Sequence, residues 1–260
     1  MLLGNMPQVL AADAPNPSRF IILCAARTGS TMLRHLLNSH PDACCHGEVM
    51  GIRMRSFVGI KPTGSPLLKK FEQLLAADPV AFMREFVLFP GDMKSVGFKI
   101  KYNQLALPQS ADVLAALRED AVLRIIHLKR ANRLKRLVSH IAAVRVYGIN
   151  LILNEADKPT PRRFAVSAEE CLEDFQLNEA REKQFADMFA DHPLHEATYE
   201  DIVAPDSPAR EEIQRFLGLE PQPLQTPTLK INSEALSEIV ENYGELQARF
   251  RDTPYARFFE

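Results

Sequence analysis

The strongest constraint on this fold is a short apolar run that leads through a turn of small and hydroxyl residues into a helical pattern. Phe20 to Cys24 is rich in β-branched residues, as expected of a strand buried inside a parallel sheet. Residues 25–31, Ala-Ala-Arg-Thr-Gly-Ser-Thr, interrupt that run. From Met32 the leucines have helical spacing, and Pro41 ends the pattern. A strand that enters a helix in this way directs backbone N–H groups and the helix dipole at one point, which suits an anion.

Strand and helix patterns alternate along the rest of the chain. We expect further strands at 95–102, 122–128 and 195–199, and irregular excursions or lids at 49–66 and 148–166. This alternation predicts an α/β fold with a central parallel sheet and helices on both faces. We expect a single domain over 1–260, with 1–18 as a ragged leader. Helices are expected at 67–77, 79–88, 110–119, 133–147, 167–190, 207–218 and 233–250, the last as one helix or as a pair broken near Gly244. The expected N-caps are Asp78, Ser110 and Ser167.

Composition narrows the range of partners and compartments. The formal charge of −2 gives no general attraction to nucleic acid. No apolar run reaches the roughly 20 residues that span a bilayer, so we expect no integral membrane segment. The first residues lack the basic region of a signal peptide. The cysteines are Cys24, Cys44, Cys45 and Cys171, and none of them forms a C-x-x-C pair. This spacing argues against a zinc site or a disulfide framework and favours reduced thiols in the cytoplasm.

The turn at 25–31 resembles a phosphate-binding loop only in part. A mononucleotide P-loop needs G-x-x-x-x-G-K-S/T, in which the lysine reaches the β- and γ-phosphates and the hydroxyl holds magnesium. This turn has one glycine and no lysine, although Arg27 supplies a cation and Ser30 and Thr31 supply hydroxyls. The pattern indicates an anion site without the groups for a triphosphate and a metal. The alternative is an ordinary strand–helix turn with a solvated arginine.

A second basic segment follows the strand at 122–128. Arg130 stands before a helix whose apolar stripe is formed by leucine, valine and isoleucine, while Asn132, Lys135, Arg136 and Ser139 share a different face. The segment lies at the carboxyl end of a strand, where open α/β sheets bind ligands. It therefore indicates a second anion site, with a solvated basic helix face as the alternative.

Glu48 is the candidate general base. It is expected in a loop after the first helix, from which a carboxylate could return towards the turn and accept a proton from a hydroxyl group. His46 is the neighbouring competitor for that role. The alternative is that Glu48 is a surface residue or an ion-pair partner.

Several segments, in order along nearly the whole chain, resemble PAPS-dependent sulfotransferases. The resemblance is closest to the bacterial carbohydrate branch, which includes Nod-factor and trehalose sulfotransferases. The segments are RTGST at 27–31 with L-x-x-LLN-x-HP at 33–41, Gly47-Glu48, R-x-N-x-L-x-x-x-VS at 130–139, YED at 199–201, FLG at 216–218, and ENY-x-EL with TPYA between 241 and 256.

The resemblance implies a three-layer domain of the P-loop nucleotide-binding type and a role for each motif. Arg130 and Ser139 would bind the 3′-phosphate of PAPS, and Glu48 would be the catalytic base. Lys99 and Lys230 match recurrent lysines of the family. The 5′-phosphosulfate would be bound by the first motif, namely Arg27, Thr28, Gly29, Ser30 and Thr31.

The chain also departs from the family pattern. Many members carry lysine where Arg27 stands, and arginine presents a planar fork instead of a point charge. The interval between Arg130 and Ser139 is one residue longer than in the animal cytosolic enzymes, which leaves Arg133 as an alternative ligand of the 3′-phosphate. No Arg-Lys-Gly loop is visible near the C-terminus, so the contacts to adenosine stay unassigned.

The resemblance implies sulfuryl transfer from PAPS to an acceptor hydroxyl, with adenosine 3′,5′-bisphosphate as the product and no metal. The expected acceptor is a small molecule or a glycan, favoured as a carbohydrate or glycolipid by the resemblance alone. One alternative is a P-loop kinase-like phosphotransferase that uses ATP and magnesium. Another is a non-catalytic anion-binding or scaffold protein. The sequence indicates no oligomeric state.

Overall fold

A parallel five-stranded sheet forms the centre of the protein. The computed structural model describes residues 16–50, 57–58, 66–204, 206–229 and 235–260. The strands are β1 (Ser18–Cys24), β2 (Ala43–Glu48), β3 (Ser95–Lys101), β4 (Arg124–Lys129) and β5 (Leu194–Thr198). Their order in the sheet is β2-β3-β1-β4-β5, and every pairing is parallel.

Eleven α-helices within the described residues surround the sheet. Two of them, α3 (Pro79–Phe82) and α6 (Arg133–Ile141), continue into π-helical turns at Met83–Val87 and Ala142–Val146. Short 3-10 turns occupy Pro108–Ser110, Glu155–Asp157 and Ala256–Phe259. The helices are α1 (Ser30–Asn38), α2 (Pro66–Ala77), α3 (Pro79–Phe82), α4 (Tyr102–Leu105), α5 (Ala111–Glu119), α6 (Arg133–Ile141), α7 (Ala168–Met188), α8 (Tyr199–Val203), α9 (Ala209–Phe216), α10 (Leu236–Ile239) and α11 (Tyr243–Phe250).

Side-chain alternation along the strands divides the core between the two faces of the sheet. Ile21 and Leu23 of β1 pack with residues of α3, α4 and α5 on one face. Phe20, Ile22 and Cys24 pack with α1 and α9 on the other. A third cluster joins α6, α7, α10 and α11 beside these layers. The predicted α/β architecture is thus confirmed, whereas the prediction of a single domain over 1–260 stays a prediction.

The largest error in the sequence-based elements concerns residues 43–48. They form the edge strand β2, although the sequence predicts a loop there. The segment Ala-Cys-Cys-His-Gly-Glu has few residues of high β-propensity. The strand is stabilised by its pairing with β3 and not by its own sequence. The other strands match their predictions with ends that differ by one or two residues.

Helix capping follows the sequence in two cases and departs from it in a third. Asp78 accepts a hydrogen bond from the N–H of Ala81, and Ser167 accepts one from Glu170. Ser110, the predicted N-cap of α5, makes no capping bond, because it closes a 3-10 turn and has φ −100° and ψ 1° instead of an extended backbone.

The segment between α6 and α7 crosses towards the C-terminal part of the chain. Ile152 forms an antiparallel bridge with Leu229, and Phe164 forms a parallel bridge with Val240. Among the described residues, no helix combines the length and apolar character needed to cross a bilayer.

Candidate active site

The turn after β1 has the geometry of an anion-binding loop. Gly29 is the N-cap of α1, with φ 82° and ψ 10°, and no side chain caps the helix. The first N–H groups of a helix have no partner within the helix, so they remain available to a ligand. Thr28 closes the turn from inside, because its hydroxyl donates to the carbonyl of Ala25 at 3.0 Å.

Gly29 is required by space as well as by its backbone angle. A Cβ atom at this position would lie 2.4 Å from Cδ2 of Tyr199, the first residue of α8. Tyr199 therefore covers the loop, and the close approach leaves room only for glycine. No role for Tyr199 was inferred from the sequence, although the residue belongs to the YED segment at 199–201.

Arg27 has a left-handed backbone and a side chain that reaches away from α1. Its φ of 68° is positive, a conformation that costs about 1–2 kcal/mol for a residue other than glycine. Its Nε donates to Oγ of Ser139 at 3.1 Å, and one terminal nitrogen donates to the carbonyl of Asn150 at 2.8 Å. Burial, and then the adjacent Arg130, lower the pKa of Arg27. The fold thus joins the first predicted anion site to a residue of the second.

Arg130 lies directly beside the loop. One of its terminal nitrogens donates to the carbonyl of Arg27 at 3.3 Å, and its guanidinium stacks over the ring of Tyr199 at 4.9 Å. Its Nε is buried and lies 4.0 Å from a carboxylate oxygen of Glu200, too far for a hydrogen bond. Within the described residues this N–H has no hydrogen-bond partner, so the geometry leaves a charged donor for a ligand.

Arg133, the alternative to Arg130, is paired elsewhere. Its two terminal nitrogens donate to the two carboxylate oxygens of Glu182 on α7, at 3.1 and 2.8 Å. Such a bidentate pair already satisfies the planar fork of the guanidinium. Of the two candidates, Arg130 is the one that contacts the loop.

A bulge in β2 decides which residue faces α1. His46 pairs with Phe98 and Glu48 pairs with Lys99, so Gly47 is an extra residue in the edge strand. An insertion of one residue turns the next side chain to the opposite face of a sheet. His46 consequently packs edge-on against Phe57 on one face, while Glu48 lies on the face of α1. The expected loop position of Glu48 is therefore wrong, because it is the last residue of a paired strand.

Three side chains hold the carboxylate of Glu48. Lys99 and Lys101 approach it with their Nζ atoms at 3.1 and 2.8 Å, and Nε2 of Gln104 donates to it at 2.8 Å. Nζ of Lys99 also donates to the hydroxyl of Thr31 at 2.7 Å. A buried lysine thus links the candidate base directly to the helix that follows the loop.

The electrostatics of this group favour an ionised carboxylate. Burial by itself would raise the pKa of Glu48, but Lys99 and Lys101 outweigh it and hold the pKa below its ordinary value of 4.5. Burial lowers the pKa of Lys99, and Glu48 opposes that change. Burial also lowers the pKa of His46 to about 4, and its Nδ1 accepts a hydrogen bond from Val58. At neutral pH His46 is therefore uncharged, and its Nδ1 is hydrogen-bonded on the face of the sheet opposite to Glu48.

The lowered pKa of Glu48 predicts a loss of stability in acid. Since the pKa is lower in the folded protein, the ion pairs of Glu48 contribute fully above pH 4.5, and the contribution is lost as the pH falls through the folded-state value. We expect the free energy of unfolding of the wild type to exceed that of Glu48→Gln at neutral pH, and the difference to shrink below pH 4.5. Chemical denaturation at a series of pH values measures it, and a difference independent of pH would contradict the prediction.

Sequence reasoning missed Lys101 and Gln104. The signal for Lys101 was its position two residues after Lys99, since residues i and i+2 of a strand share a face. Gln104 gave no signal, because it lies in the short helix α4, where its side chain also accepts a bond from the N–H of Lys101. Lys230, the other lysine noted in the sequence, lies outside the described residues.

Comparison with known proteins supports the resemblance. Nodulation protein H of Rhizobium meliloti (strain 1021) is 25% identical over 248 residues, covering 94% of this chain and 96% of the relative. Nodulation protein H of Rhizobium tropici is 29% identical over 252 residues, covering 95% and 94%. The crystal structure of a sulfotransferase from Alicyclobacillus acidocaldarius aligns over 95% of each chain with a TM-score of 0.52 and 20% identity, which confirms the P-loop-type fold.

The match to a family model is the most direct evidence for the family of this chain. The model described as the sulfotransferase family matches residues 18–223, a range that contains the loop after β1, both candidate arginines, Glu48 and Tyr199. The match covers most of the chain and all five strands of the sheet. The chain therefore belongs to the sulfotransferase family and is an enzyme of sulfuryl transfer.

Proposed function

We propose that the enzyme transfers the sulfuryl group of PAPS to a hydroxyl group of a small-molecule or glycan acceptor in the cytoplasm. Adenosine 3′,5′-bisphosphate is the second product, and no metal takes part. The observation that supports the proposal is that three groups lie at the carboxyl ends of the strands. They are the open N-terminus of α1, the partly unpaired guanidinium of Arg130, and the carboxylate of Glu48 linked through Lys99 to Thr31.

The loop residues Arg27 to Thr31 are assigned to the 5′-phosphosulfate. The N–H groups at the start of α1 suit an anion, and Gly29 allows the ring of Tyr199 to lie directly against the loop. When the bond between sulfur and the bridging oxygen breaks, negative charge grows on the departing phosphate. Preorganised N–H donors and Arg27 would stabilise that charge, as in phosphoryl transfer.

Arg130 and Ser139 are assigned to the 3′-phosphate. Arg130 offers a buried N–H that lacks a hydrogen-bond partner among the described residues, and arginine binds phosphate through charge-assisted bonds. Ser139 lies within hydrogen-bond distance of Arg27, so the two phosphate sites would share a boundary. Arg133 is less suitable, because Glu182 binds both of its terminal nitrogens.

Glu48 is assigned as the general base. It would accept the proton of the acceptor hydroxyl while the hydroxyl oxygen forms its bond to sulfur. The low pKa keeps the carboxylate ionised at neutral pH, and Lys99, Lys101 and Gln104 hold it in one orientation. The acceptor itself is proposed as a carbohydrate or glycolipid, because the motifs resemble the bacterial carbohydrate branch of the family.

A thermal-shift comparison tests the donor. Adenosine 3′,5′-bisphosphate without metal is expected to raise the melting temperature, because a ligand at 100 times its Kd stabilises the folded state by about 2.7 kcal/mol. For a chain of this size that corresponds to a shift of about 5–10 °C. Adenosine 5′-monophosphate, which lacks the 3′-phosphate, serves as the matched control and is expected to give a smaller shift. A response only to ATP with magnesium would overturn the proposal in favour of a phosphotransferase.

A further inference from the structure

We propose that Arg136 is a positioning residue for the donor-binding loop, held in place by Asp174. The sequence places Arg136 on the same helix face as Lys135, yet the structure buries it with only 5% of its surface exposed. One of its terminal nitrogens donates to the carbonyl of Ala26 at 3.0 Å, and the other is ion-paired with Asp174 on α7. One planar guanidinium thus connects α7 to the first half of the loop.

Two arginines hold two consecutive peptide groups of the loop. Arg136 binds the carbonyl of Ala26, and Arg130 binds the carbonyl of Arg27. Each peptide is planar and trans, so fixing a carbonyl also fixes the N–H of the following residue in the opposite direction. The N–H groups of Arg27 and Thr28 are therefore directed away from these arginines.

The residue between the two fixed peptides is the one with the unfavourable backbone. Arg27 has φ 68°, and the left-handed region is costly for a side chain with a Cβ. Surrounding contacts must hold such a conformation in place. The bonds to the carbonyls on either side of its Cα supply that restraint.

Arg136 acts through the loop instead of binding the donor itself. Its charge is balanced by the partly buried carboxylate of Asp174, which lies directly beside it. Arg130 differs in its ion pairing, because its nearest carboxylate oxygen is 4.0 Å away and leaves its charge for a phosphate. The Nε atoms of both arginines are buried without a hydrogen-bond partner among the described residues, so they do not distinguish the two. Arg136 therefore restrains the loop, whereas Arg130 restrains the loop and also binds the ligand.

Arg133 provides a matched control on the same pair of helices. Like Arg136 it is an arginine of α6 paired with a carboxylate of α7, in this case Glu182, and it is partly buried, with 11% of its side chain exposed. Its side-chain hydrogen bonds go to Glu182, whereas those of Arg136 also reach the loop. A change that merely weakens the contact between α6 and α7 should therefore act alike at both positions.

The test is hydrogen exchange of the segment 25–31 in the ligand-free protein, compared among the wild type, Arg136→Lys and Arg133→Lys. Lysine keeps the charge but lacks the rigid fork that reaches two partners at once. We expect about tenfold faster exchange in Arg136→Lys, the effect of losing one hydrogen bond from a charged group, and no change in Arg133→Lys. Exchange in β4 reports any general loss of stability.

Asp174→Asn and Glu182→Gln form a second matched pair, which keeps the test valid if Arg136→Lys folds poorly. Faster loop exchange in Asp174→Asn alone supports the proposal. Unchanged exchange in both Arg136→Lys and Asp174→Asn, or equal changes in the controls, would overturn it.

Calorimetric titration with adenosine 3′,5′-bisphosphate separates this inference from the proposed donor on which it partly rests. We expect Arg136→Lys to bind about tenfold more weakly than the wild type, with Arg133→Lys close to the wild type. If the wild type does not bind this nucleotide, the assigned donor is wrong, and the exchange comparison still decides whether Arg136 positions the loop. Wild-type affinity in Arg136→Lys would contradict the positioning role.

Discussion

Replacing Glu48 by glutamine is expected to lower the rate of sulfuryl transfer by a factor of about 10²–10⁴, the usual contribution of a general base. Glutamine keeps the size of the side chain but cannot accept the proton of the acceptor hydroxyl. The affinity for adenosine 3′,5′-bisphosphate is expected to stay or rise, because the change removes a negative charge beside an anion site. Transfer of label from radiolabelled PAPS to acceptors in a cell extract gives the initial rates, and identification of the labelled product gives the acceptor.

Glu196→Gln is the control for this experiment. Glu196 is also a strand carboxylate paired with a lysine, since Nζ of Lys129 lies 2.5 Å from it. It belongs to β5, at the opposite edge of the sheet from β2, and its ion-pair partners are His127 and Lys129. The control is expected to keep its activity. If the Glu48→Gln enzyme retains more than about a tenth of the wild-type rate, Glu48 is not the general base.

Replacing Gly29 by alanine is expected to destabilise the protein by about 2–4 kcal/mol and to abolish measurable nucleotide binding. The positive φ accounts for about 1 kcal/mol, and the collision of the new Cβ with Tyr199 for about 1–3 more. Tyr199 has little freedom to move aside, because the guanidinium of Arg130 stacks on its ring. Denaturant unfolding and calorimetric titration with adenosine 3′,5′-bisphosphate measure the two effects.

Gly91→Ala isolates the effect of the backbone angle. Gly91 also has a positive φ, of 55°, but a Cβ there would meet no atom within 4 Å. This variant is expected to lose only about 1 kcal/mol and to bind the nucleotide normally. Equal losses in the two variants would show that contact with Tyr199 does not constrain the loop. The double variant Gly29→Ala with Tyr199→Ala is expected to recover much of the difference.

Local chemistry explains what could be predicted. The apolar run of β1, the small residues of the turn and the leucines of α1 are neighbours in sequence, so their pattern defines a strand, a turn and a helix without reference to the rest of the chain. The caps at Asp78 and Ser167 are equally local. The strand–helix alternation then limits the architecture to a parallel sheet covered on both faces.

The features that the sequence did not predict depend on pairing between segments that are distant in the chain. β2 was missed because a short edge strand with few strand-forming residues is stabilised by its partner β3 and not by its own sequence. The orientation of Glu48 depends on the bulge at Gly47, which exists only once the two strands are paired. His46 and Glu48 are two residues apart, yet the bulge sends them to opposite faces. No inspection of their spacing could have separated the two candidate bases.

The sequence by itself determined the family, the order of the strands apart from β2 and of the longer helices, and the position of the loop at the start of α1. It did not predict the short helices α4 and α8. The tertiary structure alone decided how the candidate groups meet. Arg27 bonds to Ser139, 112 residues away, and Arg136 bonds to Ala26, 110 residues away. Arg133 is drawn to Glu182 and away from the site. The physical reason is that such hydrogen bonds and ion pairs depend on how distant helices pack on the sheet, and a linear pattern of residue types does not contain those distances.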